Sequence, residues 1–120
     1  MSLVKKIFIG ASTLTEWFGS GMAPVEKSVA EHRSEICYQC PMNKPAGLFE
    51  SFGEYAHTIL GIRRWLKTLG CQTIYDLQLH VCKGCNCPMR IKVWVPLNII
   101  KNHLPQETIN SLHQNCWIKK

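Results

Sequence analysis

Six of the seven cysteines stand at spacings that can serve a metal ion. Cys37-Tyr38-Gln39-Cys40-Pro41 and Cys82-Lys83-Gly84-Cys85-Asn86-Cys87-Pro88 each contain a C-x-x-C pair, and one tight turn brings both sulfurs of such a pair to a single ion. Gly84 and Asn86 are residue types that accept the left-handed or crowded backbone with which a knuckle aims amide N–H groups at sulfur. Thiolates from Cys37, Cys40, Cys82 and Cys85 would complete a closed tetrahedral Zn2+ site. Cys87 and Cys116 are two further donors. With them the alternative is a 4Fe-4S cluster, which also takes four thiolates and for which Cys-Pro, present at Cys40-Pro41 and Cys87-Pro88, is a ferredoxin-like detail. Spacing leaves open which four sulfurs bind and which metal they hold. The expectation carried forward is zinc on Cys37, Cys40, Cys82 and Cys85, with Cys87 and Cys116 as alternates.

A cysteine-rich chain of this size would also suit a secreted disulfide framework. Against secretion, Lys5 and Lys6 precede only the short apolar run Ile7-Phe8-Ile9, which is no signal-peptide core. Cys71 has no cysteine at ligand spacing and reads as a small buried side chain. His80 is the histidine nearest a knuckle and the one that could replace a cysteine. His32, His57, His103 and His113 form no catalytic constellation with a carboxylate, and no nucleotide-binding fingerprint is present. The expectation is a protein that is not an enzyme and has no evident small-molecule substrate.

The chain has 120 residues and a formal charge of +6, which suits one small domain whose stability a metal cross-link would raise materially. Charge is uneven: residues 1–60 carry five basic and six acidic side chains, residues 61–120 nine basic and two acidic. A cationic second half suits an acidic protein surface or a phosphate backbone. No apolar stretch approaches a membrane span, so no membrane partner is expected.

The elements that must position the cysteines can be read from punctuation and period. Residues 1–23 read as an N-terminal arm, with Leu3 to Ile9 an edge strand or a packing segment. Thr13-Leu14-Thr15-Glu16 has the form of a capping box opening a short turn with Trp17 and Phe18 that stops at Gly19, and Gly19-Ser20-Gly21 reads as a tight loop. A helix is expected from Pro24, with Val25, Val29, His32 and Ile36 as its apolar stripe, delivering the chain to Cys37. A loop follows from Met42 to Gly47, then a long helix from Leu48 to Leu69, stopped by Gly70. Thr73, with Asp76 three residues on, can cap a short helix before Cys82. Arg90-Ile91-Lys92-Val93-Trp94-Val95 alternates strictly and reads as a strand. Its outward row of Arg90, Lys92 and Trp94, with Lys83 nearby, is the candidate nucleic-acid surface. Pro96 and Pro105 each open a helix, and the segment 105–120 brings Cys116 and Trp117 back to the cysteines. The fold class expected is α+β, mostly helical, with a short β element and a multi-cysteine cross-link.

Trp17-Phe18-Gly19-Ser20-Gly21, Pro24-Val25-Glu26, Ala30-Glu31 with Arg33, Ile36-Cys37, Cys40-Pro41, Asn43, Cys82, Cys85, Cys87, Lys92-Val93 and Cys116-Trp117 together resemble a group of small cysteine-rich proteins of tailed bacteriophages and prophages. The resemblance implies a virion component of the tail or neck, or an early protein acting in the host cytoplasm, working with protein partners in a larger assembly. The second knuckle also resembles those of zinc ribbons, in which a C-x-x-C turn leads into a strand.

Overall fold

A computed structural model describes residues 3–45, 54–85 and 87–119, with side chains for 9–45, 59–85 and 87–119. Among the described residues six helices dominate: α1 (Leu3–Gly19), α2 (Lys27–Tyr38), α3 (Glu54–Thr68), α4 (Met89–Lys92), α5 (Leu97–His103) and α6 (Gln106–Ser111). A two-stranded antiparallel sheet, β1 (Asn43–Lys44) with β2 (Val81–Cys82), and 3-10 turns at Asp76–Gln78 and Trp117–Lys119 complete the architecture. The molecule is thus mostly helical with one small sheet. Among the described residues no helix is long and apolar enough to cross a membrane.

The expected N-terminal arm is instead the helix α1, packed on α5. Its buried residues Ile9, Thr13, Leu14 and Trp17 recur at helical spacing. Thr13 does not cap. Its hydroxyl donates to the Ile9 carbonyl at 2.9 Å and that of Thr15 to Ala11 at 2.8 Å, the back-bonding of threonines inside a helix. The helix closes in a Schellman motif, with Met22 N–H on the Trp17 carbonyl, Gly21 N–H on Phe18, and Gly21 at φ +95°. α3 ends the same way, through Cys71 N–H on Leu66, Gly70 N–H on Lys67 and Gly70 at φ +74°. The expected start of α3 at Leu48 lies outside the described residues.

α2 begins at Lys27, three residues later than expected, and turns a different face inward. Ala30, Arg33, Ser34 and Cys37 are its buried residues, whereas Val29 and His32 are exposed. Small Ala30 and Ser34 let the helix lie close against α4, and this brings the Arg33 guanidinium to the carbonyls of Val93 and Val95 at 3.2 and 2.8 Å. Those carbonyls stand where α4 has ended, so Arg33 takes the role of a helix C-cap.

The strand expected at Arg90–Val95 is not a strand. Residues 89–92 form the one-turn helix α4 after Pro88, with Lys92 N–H on the Pro88 carbonyl at 2.9 Å, and tight turns follow. Alternation suggested one wet face, but Ile91, Lys92, Val93, Trp94 and Val95 are all buried. A segment enclosed on every side has no solvent face to set a period of two. Lys92 and Trp94 are therefore absent from the exposed row expected of them. Arg90 is half-buried and donates through Nε to the Asp76 carbonyl, and Lys83 is half-buried in the second knuckle. Pro96 and Pro105 precede α5 and α6 as expected.

Candidate metal centre

The last turn of α2 holds Cys37, and the chain then folds tightly: Cys40 N–H reaches the Cys37 carbonyl at 3.1 Å and Asn43 N–H the Cys40 carbonyl at 3.0 Å. Pairing of Asn43 with Cys82 sets this first knuckle beside the second. The Asn43 side chain reinforces the pairing. Its Nδ2 donates to the Gln78 carbonyl at 2.7 Å and its Oδ1 accepts from His80 N–H at 2.8 Å. In the second knuckle Cys82 N–H closes the turn on the Cys87 carbonyl at 3.0 Å. Gly84 does not have a left-handed φ here. What excludes a side chain is Leu112, whose Cδ2 would lie 2.6 Å from an added Cβ. Asn86 lies outside the described residues.

Cys37, Cys82, Cys85, Cys87 and Cys116 are buried and Cys40 is partly so, and all seven cysteines are free thiols. Cys71 is half-buried at the end of α3, away from this cluster. Three sulfurs accept N–H groups: Cys37 from Trp117 Nε1 at 3.2 Å, Cys40 from Met42 N at 3.4 Å, and Cys85 from Lys92 Nζ at 3.5 Å. Among the described residues no three His, Cys, Asp or Glu side chains are gathered closely enough to hold an ion. The thiols bond to each other instead. Cys82 is hydrogen-bonded to Cys85, and Cys85 to Cys87. Cys37 and Cys40 each lie within electrostatic reach of both Cys82 and Cys116, so Cys82 joins two overlapping groups of sulfurs.

Donation to Cys85 and burial push the Cys82 thiol far above the ordinary range. Cys85 gains from the Cys82 bond, but its own donation to Cys87, together with burial, leaves it pushed up to about 11. Cys87, accepting at the end of the relay, is lowered despite its burial. Burial also raises Cys37 and Cys40, opposed at Cys37 by Lys92 and the Trp117 N–H.

Lys92 lies within this cluster. It is 3% exposed, with Nζ 3.5 Å from Cys85 Sγ and 5.5 Å from the centre of the Trp117 ring. Burial alone would lower a lysine pKa, but ionised sulfur at Cys85, Cys82, Cys37 or Cys87 would raise it, and the net direction is upward. Arg33 is a second buried cation, with Cζ 4.2 Å from the centre of the Trp117 ring. Among the described residues no Asp or Glu is buried.

Spacing singled out six cysteines, five of them buried and one partly so, and missed the buried cations Lys92 and Arg33. For Arg33 a signal was present, since it precedes Cys37 by four residues and shares its helix face. For Lys92 the alternating pattern pointed the wrong way. His80 is exposed and holds the site through its backbone N–H. A cleft of about 420 Å³ between α2 and the C-terminal segment, lined by His32, Glu35, Cys40, His113 and Cys116, connects solvent with Cys40 and Cys116. Comparison with protein-family models, with curated proteins and with solved structures finds no match for the chain.

Proposed function

We propose that the protein is a non-enzymatic, metal-stapled structural or interaction module, with a thiolate-bound ion joining the two knuckles and the C-terminal segment. The observation that carries this reading is Lys92, a buried ammonium among six cysteines with no buried carboxylate among the described residues. Cations out of water need an anion in the same enclosure, and the groups at hand that can supply one are sulfurs in the thiolate form. Four thiolates on a divalent ion carry a net charge of −2, which Lys92 and Arg33 together offset. Soft, buried sulfur donors without competing oxygen suit zinc or an iron–sulfur cluster. N–H groups directed at Cys37 and Cys40 are the outer contacts that thiolate ligands receive.

Ligation exchanges the S–H···S bonds of the free thiols for metal–sulfur bonds. Cys37, Cys40 and Cys82 belong to either ligand set; Cys85 is the fourth by spacing, Cys116 by its electrostatic coupling to Cys37 and Cys40. A closed site of this kind leaves no open position for substrate and contributes to folding directly. Work within a larger assembly, such as a phage tail or neck, is the setting the resemblance implies.

The test is metal analysis with a visible spectrum on protein purified without oxygen or added metal. One zinc per chain and no colour is the expected result. Iron with sulfide and a broad band near about 400 nm would replace zinc by a cluster, and a folded chain without metal would overturn the proposal. Cys85→Ser and Cys116→Ser then identify the fourth ligand, because only the true ligand's loss should abolish metal retention and unfold the chain.

A further inference from the structure

A cleft between the C-terminal half of α3 and the loop that leads to the second knuckle lies away from the two knuckles, with Cys71 in its lining. It encloses about 600 Å³, and its cationic lining is Arg63, Arg64, Lys67 and Arg90. Arg63 and Lys67 stand one turn apart on α3, a spacing of about 6 Å that matches carboxylates at positions i and i+4 of another helix. None of Arg63, Arg64 and Lys67 has a hydrogen-bond or ion-pair partner among the described residues. The single carboxylate of the lining, Asp76, is turned to its own loop, where Oδ1 accepts from Thr73 N at 3.2 Å and Thr73 Oγ1 at 2.8 Å.

The same cleft displays aliphatic surface. Ile74 and Leu77 are 78% and 82% exposed, and Leu60 is 46% exposed. These side chains do not sit on a loose loop. Thr73 and Asp76 brace it internally, Gln78 N–H reaches the Tyr75 carbonyl at 2.9 Å, Arg90 holds the Asp76 carbonyl and Asn43 the Gln78 carbonyl. A braced loop that presents two large aliphatic side chains to water beside a row of cations has the composition of a docking surface.

We infer that this cleft binds an acidic amphipathic segment of a partner protein, its carboxylates on Arg63, Arg64 and Lys67 and its apolar side chains on Ile74 and Leu77. Nucleic acid is the less suited occupant, because no aromatic side chain lines the cleft for bases to stack on, while the aliphatic surface would stay wet against a phosphate backbone. The inference is independent of the metal at the other site, which these residues do not approach.

The probe is a fluorescein-labelled 18-residue peptide with leucines along one helical face and glutamates flanking them, followed by fluorescence anisotropy with the purified full chain. Binding in the micromolar range at low salt is expected, falling as salt rises. Arg63→Glu with Arg64→Glu, and separately Leu77→Asp, should each weaken it about tenfold. The same peptide with lysine in place of glutamate should not bind. Circular dichroism and metal content report whether each variant has folded, and Lys67→Glu is the replacement if the double change has not. No binding at roughly a hundredfold above the micromolar range overturns the inference, as does equal binding of the lysine peptide. It is also overturned if an 18-nucleotide strand binds more tightly than the acidic peptide with Leu77→Asp indifferent, which would make the cleft a phosphate surface. Self-association of the chain that Leu77→Asp abolishes would give the cleft to a second copy instead.

Discussion

An ammonium group out of water is stable only where something anionic shares its enclosure, so Lys92 reports on the protonation of its neighbours. If the sulfurs are held as metal thiolates, removing the Lys92 charge leaves an anionic centre with less compensation. If they are mostly neutral thiols, the same change removes a poorly paired buried cation. The sign of Lys92→Met therefore separates the two states. In the metal-bound protein Lys92→Met should destabilise by about 3 kcal/mol and speed metal loss to a chelator, whereas among free thiols it should be neutral or stabilising by about 1–4 kcal/mol. Thermal unfolding of wild type and variant, each with and without chelator, measures both signs. Ser34 shows how much this core tolerates, since its buried hydroxyl has no hydrogen-bond partner among the described residues, while the sulfurs around Lys92 are hydrogen-bonded to one another.

At the scale of elements, the site depends on two short strands that would not form alone. Each is two residues long, and a ladder of that length is marginal without side-chain support. Asn43 supplies it by bonding both a carbonyl and an N–H of residues 78–80. Asn43→Ala should cost about 1–2 kcal/mol, and amide exchange at Lys83, whose N–H pairs with the Met42 carbonyl, should accelerate with it. Unchanged protection at Lys83 would show that the knuckles meet without this clip. The elements that could be read in advance are those with local punctuation. Pro96 and Pro105 precede helices and Gly70 ends one, whereas the cap expected of Thr73 is instead a bond from its hydroxyl to Asp76, the short 3-10 turn starting at Asp76 after an uncapped Tyr75. The elements misread are those whose pattern is set by distant packing. Residues 90–95 alternate in sequence, yet Ile91 to Val95 are all buried, with Arg33 of α2 bonded to the carbonyls of Val93 and Val95. In α1, threonines that resemble caps bond back into the helix, and the apolar run before them is its first turns.

For the molecule as a whole, the cysteines come from three stretches of chain, 37–40, 82–87 and 116, and a shared ion would tie all three together. Stability should then follow the protonation of the sulfurs, with opposite sign in the two states. In the free-thiol state Cys37, Cys40, Cys82 and Cys85 have pKa values raised above the ordinary value of 9.0, Cys85 to about 11. A raised folded pKa gives stability that is complete below the unfolded value and is lost as pH climbs through the folded one. The chelated protein should accordingly lose melting temperature progressively between pH 9 and about 11. Metal-bound sulfurs have already given up their protons, so the loaded protein should show no such loss in that window. It should fail in acid instead, where protons compete with the ion for sulfur. Melting temperature across pH 4 to 11, roughly the range over which thiolate ligands and free thiols titrate, distinguishes the states in one experiment. Two superimposable profiles for chelated and untreated protein, both falling only on the alkaline side, would mean that the six sulfurs form a hydrogen-bonded thiol core with Lys92 and bind no metal.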